Sequence, residues 1–155
     1  SVTLWAVTGS APSAFDAWRD GRTIGLREQV GHDLGERMRH ALRTSLERGR
    51  PALLIGTDVP GYDVAYLARA AALLDTHDAV AGPAEDGGYV LIGLARDVDA
   101  FSGIAWSSTG VMAATRSNLR AAGARWAELP ELWDVDTHDD WRRWRALGAA
   151  PCAAA

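Results

Sequence analysis

The stretch ALLIGTDVP, residues 52–60, decides the fold class. Its first four residues are wholly apolar, as expected of a strand covered on both faces in a mostly parallel sheet. Gly56, Thr57, Asp58, Val59 and Pro60 then make a loop at the carboxyl end of that strand. Strands and helices alternate on either side. Residues 2–7 (VTLWAV) read as a strand broken by Gly9, Ser10 and Pro12, followed by a short helical piece at 14–19 and a short strand at 23–26. Asp33 opens a strong helix in which Leu34, Met38, Ala41, Leu42 and Leu46 share one face, and Gly49 stops it before Pro51. Downstream, Asp63 caps a helix running to about residue 75. Strands follow at 78–81 and 89–94, then an amphipathic helix at 109–122 and an edge strand at 125–129. Thr137 caps a last helix carrying Trp141, Trp144 and Leu147. The pattern predicts one α/β domain over residues 1–148, with the Ala-rich end, 149–155, as a frayed tail.

Composition narrows the function classes. A chain of 155 residues with 48% hydrophobic content has enough apolar material for one real core. A net charge of -4 and a pI near 5.5 exclude the basic surface that non-specific nucleic-acid binding needs. No run reaches the roughly 18 apolar residues of a membrane span. The single cysteine, Cys152, rules out an internal disulfide framework and a multi-cysteine metal site, and points to a cytoplasmic protein. There is no lysine, so all 16 basic residues are arginine.

Three acidic, glycine-rich or turn-rich segments fall at or near the carboxyl ends of strands, where open α/β sheets bind ligands. They are GTDVP at 56–60, AEDGGY at 84–89 and DVDT at 134–137. Carboxylates on short loops can converge on a hard cation such as Mg²⁺ or Mn²⁺, which in turn neutralises a diphosphate. Paired glycines let backbone approach a ligand closely. Each segment also has a purely structural reading. Asp58 can organise a turn. The sequence Glu85-Asp86-Gly87-Gly88 can join two strands as a hairpin. Asp136-Thr137 can be the entry to the last helix, with Thr137 as N-cap and Asp140 at N3.

The motifs QxGxDLGERM (29–38), LLIGTDxP (53–60), GPAEDGGYVLIGL (82–94), WSST (106–109) and LPxLxDVDTxxD (129–140) together resemble the DUF2064-type family. Its members are described as transferases associated with radical-SAM or selenium-containing domains. They belong to the nucleotide-diphospho-sugar transferase superfamily, with the glycosyltransferase-A fold. The resemblance runs from residue 2 to about 145, and its most specific part is 82–94. It implies a three-layer α/β sandwich that binds a nucleotide or nucleotide-sugar together with a divalent metal. Asp58 resembles the aspartate that binds metal at the end of the central strand, and Asp136 resembles the second, distal carboxylate. Asp86, Gly87, Gly88 and Tyr89 would line the acceptor or sugar pocket beside Gly56, Thr57 and Trp106. Glu85 would be a base, with Asp86, or a group behind the first layer of contacts. Arg37 would face phosphate, or else be a solvated helix arginine.

The front of the chain departs from the family. Nothing in residues 1–33 matches a PxxGxVKTRL-like phosphate loop, and 2–8 resembles the family's second strand. The sequence thus reads as lacking the first strand and its phosphate clamp. An open sheet of this kind leaves strand edges unpaired and predicts a homo-oligomer. Three functions follow from the resemblance: a metal-dependent glycosyltransferase, a nucleotidyltransferase acting on a phosphorylated acceptor, and a degenerate binding domain. Ser107, Ser108 and Thr109 lack a nucleophile-elbow glycine pattern and read as helix-capping residues. The four histidines have no metal-ligand spacing. Trp106 and Trp133 adjoin the motifs, either to stack on a base or sugar or to pack.

Overall fold

A computed structural model describes residues 2–7 and 24–148. The expected helical piece at 14–19, the tail at 149–155 and Cys152 lie outside the described residues. The elements are β1 (Val2–Ala6), β2 (Ile24–Glu28), α1 (Leu34–Leu46), β3 (Ala52–Ile55), α2 (Val64–Leu73), β4 (Ala79–Pro83), β5 (Tyr89–Leu94), α3 (Val111–Ala121), β6 (Trp126–Glu128) and α4 (His138–Ala146). These follow the sequence pattern closely because the caps are local. The side chains of Asp33, Asp63 and Thr137 each accept the backbone N–H three residues on, and Thr137 with Asp140 forms a full capping box. None of the described helices is long and apolar enough to cross a membrane.

Among the described residues the strands form two sheets. β1 and β2 pair in parallel, and the other four lie in the order β3-β5-β4-β6. β5 runs antiparallel to both of its neighbours, while β4 and β6 are parallel. Three strands of the four therefore point one way and only β5 is reversed. This makes the sheet mixed at its centre while it stays mostly parallel in strand direction. The reversal follows from the connection: residues 84–88 are too few for the crossover that parallel neighbours need, so β5 returns as a hairpin.

Alternation along the strands separates two cores. Leu54, Ala79, Ile92 and Leu94 face the helix layer of α1 and α3, through Met38, Leu42, Leu46 and Leu119. Leu53, Val80 and Leu91 face α2, through Leu67, Ala70 and Leu74. Helices cover both faces, which gives the three layers. One expectation fails here. The apolar run 52–55 is half-buried rather than covered on both faces, and Ile55 is 42% exposed. β3 is the edge strand of its sheet, and the fully covered positions belong to β4 and β5.

At the amino end of β4, Asp78 binds the sheet together. Its carboxylate accepts two bonds from Arg96 (2.7 and 3.1 Å) and one from the Arg125 N–H (2.8 Å). The Arg96 bond, then the Arg125 N–H, hold this carboxyl down at about 2. The stability it contributes is therefore fully present above the ordinary carboxylate range and is lost as the pH falls toward about 2. Asp78→Asn should unfold at lower urea concentration than the parent at pH 7, with the gap closing in strong acid. Packing tolerance is lowest at Gly93 on β5. A β-carbon there would overlap Leu53 and lie 2.9 Å from Val80. We expect Gly93→Ala to lose about 1–3 kcal/mol of unfolding free energy in a urea titration, the usual cost of overpacking.

Candidate functional site

β3, β4 and β6 all deliver their carboxyl ends to one side of the molecule, so the three acidic segments meet there. Backbone hydrogen bonds fasten them. The Val135 N–H donates to the Asp58 carbonyl (3.0 Å), tying the segment before α4 to the loop after β3. Leu132 N–H donates to Pro83 (3.0 Å), Glu85 N–H donates to Leu132 (3.0 Å), and Ala84 bridges Leu132 in parallel. On the far side, Met112 N–H donates to Gly87 (2.8 Å), which joins the hairpin turn to the start of α3.

The turn 84–88 serves as both a hairpin and a site loop. Asp86 accepts the Gly88 N–H (2.8 Å) in a tight Asx turn. Gly87 has a φ of +91°, and a β-carbon there would overlap the Thr109 carbonyl, so both its conformation and its surroundings demand glycine.

A cleft of about 220 Å³ opens beside this turn. One wall is apolar, made by Leu34, Met38, Tyr89, Trp106 and Val111, and the other carries Asp86, Gly88, Ser107, Ser108, Asp134 and Asp136. Trp106 lies flat on the amino end of α1, where a β-carbon at Gly35 would overlap its indole. Ser107, which also lines the cleft, holds a φ of +60°, uncommon for a side-chain-bearing residue. The capping expectation for this cluster fails. α3 starts two residues later, with Gly110 as an N-cap that offers no side chain, and the Ser108 hydroxyl donates to the Ala105 carbonyl (2.7 Å) instead.

Asp134 and Asp136 sense their acidic neighbours. The carboxyl of Asp134 is raised by burial first, and then by Asp136, Asp86 and Asp58. That of Asp136 is raised by burial, then by Asp58, Asp86 and Asp140. Tyr62, whose hydroxyl donates to the Val90 carbonyl, is raised chiefly by burial and also by Asp58 and Asp134. Asp58 and Asp136 thus share one side of the molecule. Among the described residues, no three His, Cys, Asp or Glu side chains are already disposed around a single point that could hold a metal ion.

The other expected site residues divide. Asp86, Gly88, Tyr89 and Trp106 line the cleft, whereas Gly56, Thr57, Gly87 and Arg37 do not. Gly56 presses on Asp58, where a β-carbon would come within 2.8 Å of Oδ1. The Arg37 Nε donates to the Gly31 carbonyl (3.2 Å) and braces the turn before α1. Glu85 does not reach the cleft either. Arg143 takes both of its carboxylate oxygens at 2.7 and 3.0 Å, and this bond lowers its pKa. A carboxylate so engaged is a poorer base than a free one. Trp133 carries the Arg143 guanidinium over one face, 4.1 Å from the ring centroid. The contribution of Leu34, Met38 and Val111 to the cleft escaped sequence reading, because their helical spacing looks like ordinary core.

The fold is the α/β fold of the nucleotide-diphospho-sugar transferases. The crystal structure of a candidate nucleotide-diphospho-sugar transferase from Desulfovibrio desulfuricans G20 superposes with a TM-score of 0.79 at 38% identity, over 87% of this chain and 61% of that one. This chain therefore spans less than two thirds of that protein's length. Residues 1–108 match the profile of the family described as uncharacterized protein conserved in bacteria (DUF2064), and the chain belongs to that family. No functionally curated protein matches the sequence.

The raised pKa values carry a sign that can be checked. A carboxyl raised in the folded state costs stability while it is ionised, and the cost fades as the pH falls through its folded pKa. Asp136→Asn should therefore melt at a higher temperature than the parent at pH 7 without added metal. The difference should shrink in acid, as differential scanning calorimetry would record.

Proposed function

We propose that the chain acts as a metal-dependent glycosyltransferase-like transferase that binds a nucleotide-sugar. The observation that carries this reading is the gathering of Asp58, Asp86, Asp134 and Asp136 beside an aromatic-walled cleft at the carboxyl ends of the strands. The donor set suits a hard divalent cation, because it is made of carboxylate oxygens whose mutual repulsion a cation would relieve. Asp58 and Asp136 are the residues assigned to hold Mg²⁺ or Mn²⁺. Bound there, the ion would neutralise the diphosphate of the nucleotide-sugar.

The remaining roles follow from position. No arginine lines the cleft among the described residues, so an anionic ligand depends on a cation from elsewhere. Trp106 and Tyr89 offer flat apolar faces to a sugar ring, and Gly88 admits it close to the backbone. Asp86 stands at the cleft with its Oδ1 on the Gly88 N–H, placed to orient or deprotonate an acceptor hydroxyl. We also propose that copies associate, since β3 offers an unpaired edge among the described strands. Light scattering should report a dimer or larger, and a clean monomer would refute that part.

Titration calorimetry with nucleoside diphosphates and UDP- or GDP-sugars, with and without Mn²⁺, tests the main reading. Metal-dependent binding of a nucleotide-sugar is expected, and Asp58→Ala should abolish it without shifting the far-UV circular dichroism. Turnover of a nucleoside triphosphate to pyrophosphate would favour the nucleotidyltransferase reading, and no binding at all would favour a degenerate domain.

A further inference from the structure

One guanidinium touches both halves of the acidic site from outside it. Arg143, on α4, forms a two-bond ion pair with Glu85 (2.7 and 3.0 Å) and lies 4.1 Å over the ring of Trp133. Glu85 is the residue immediately before Asp86, and Trp133 is the residue immediately before Asp134. The same side chain therefore grips the neighbour of one site carboxylate on the hairpin turn and the neighbour of another on the segment leading into α4.

We propose that Arg143, with Glu85 and Trp133, is a positioning clasp that holds the Asp86 turn against the Asp134–Asp136 segment in readiness for a divalent cation. The proposal rests on the metal reading of the site given above. Its physical basis is the meeting of Asp86, from one loop, with Asp134 and Asp136, from another, in the lining of a single cleft. Like charges on two short loops push those loops apart, and a cation placed behind them opposes the spreading without occupying the cleft. Arginine suits the task where lysine would not, because its planar fork can bond a carboxylate with two nitrogens while stacking on an indole. α4 needs such an anchor, since none of its residues is buried.

The pair is exposed, with side chains 46% and 49% accessible, so its contribution to global stability is small. That separates a positioning role from a merely structural one. The experiment compares the parent with Arg143→Met, Arg143→Lys, Glu85→Gln and the Glu85→Gln/Arg143→Met double variant, with Asp136→Asn as the control for the metal site. Mn²⁺ affinity is measured by calorimetry, the melting temperature without metal, and amide hydrogen exchange across residues 84–88 and 132–137.

Arg143→Met and Glu85→Gln should each weaken Mn²⁺ binding by roughly 10-fold or more, as when a group supporting a metal ligand is lost. The double variant should bind no more weakly than the worse single one, because both remove one interaction. Arg143→Lys, which keeps the charge without the fork, should fall between. Exchange at Glu85 and Val135 should quicken in Arg143→Met while β4 and β5 stay protected and the melting temperature barely moves. If Arg143→Met binds Mn²⁺ as the parent does while Asp136→Asn does not, the clasp is overturned and the metal site stands. If the parent itself binds no Mn²⁺, the metal reading falls, and unchanged exchange at Glu85 and Val135 would then overturn the clasp as well.

Discussion

Crowding of carboxylates at one end of the sheet is the constraint around which the rest of the structure is arranged. Asp58, Asp86, Asp134 and Asp136 come from three loops, yet burial and one another's charge raise the carboxyls of Asp134 and Asp136. An arrangement that disfavours its own ionised state persists only where the surrounding backbone holds it. Here the holding is explicit: Val135 is bonded to Asp58, and Leu132 is laced to Pro83 and Glu85. Those bonds exist because β3, β4 and β6 run in the same direction, so that their exits lie side by side. A sheet with any one of them reversed would scatter the aspartates to opposite ends.

Stability and site chemistry are assigned to different ends of the sheet. At the end away from the site, Asp78 gathers Arg96 and the Arg125 backbone into a compact ion pair, with its carboxyl held well below the usual range. At the site end the charged groups that line the cleft are all carboxylates, its apolar lining comes from α1, β5, α3 and the loop at Trp106, and glycine is obligatory where the loops touch. Gly87 against Thr109 and Gly35 under Trp106 are two such close approaches, and both lie between the segments that shape the cleft. The site is thereby braced by the fold without drawing on its own charges for stability.

Membership of the family is carried by residues 1–108, which include Asp58, Asp86 and the Trp106–Ser108 wall. Asp134 and Asp136 come from beyond that stretch, and the structural likeness extends far enough along the chain to take in elements outside it. The acidic cluster is therefore assembled across the boundary of the sequence match. Its two halves are joined by Leu132, Val135 and the Glu85–Arg143 pair.

Element types and caps were legible in the amino-acid sequence, because they depend on neighbours a few residues away. Asp33, Asp63 and Thr137 announce helix starts by their own hydrogen bonds, and the three acidic turns stand out as punctuation. Their gathering at one end rests on β3, β4 and β6 running in the same direction. Burial and partner choice were not legible. The run 52–55 looked like an interior strand, but its place at the sheet edge is set by which strands pair with it. Glu85 looked like a base, but the side chain that engages it sits 58 residues along the chain. Arg37 looked free for phosphate until the turn at Gly31 took its Nε. Local chemistry is written in consecutive residues. Which carboxylate stays free, and which is bonded to an arginine, is decided only when distant segments pack, because ion pairing and exclusion from water depend on distance in space.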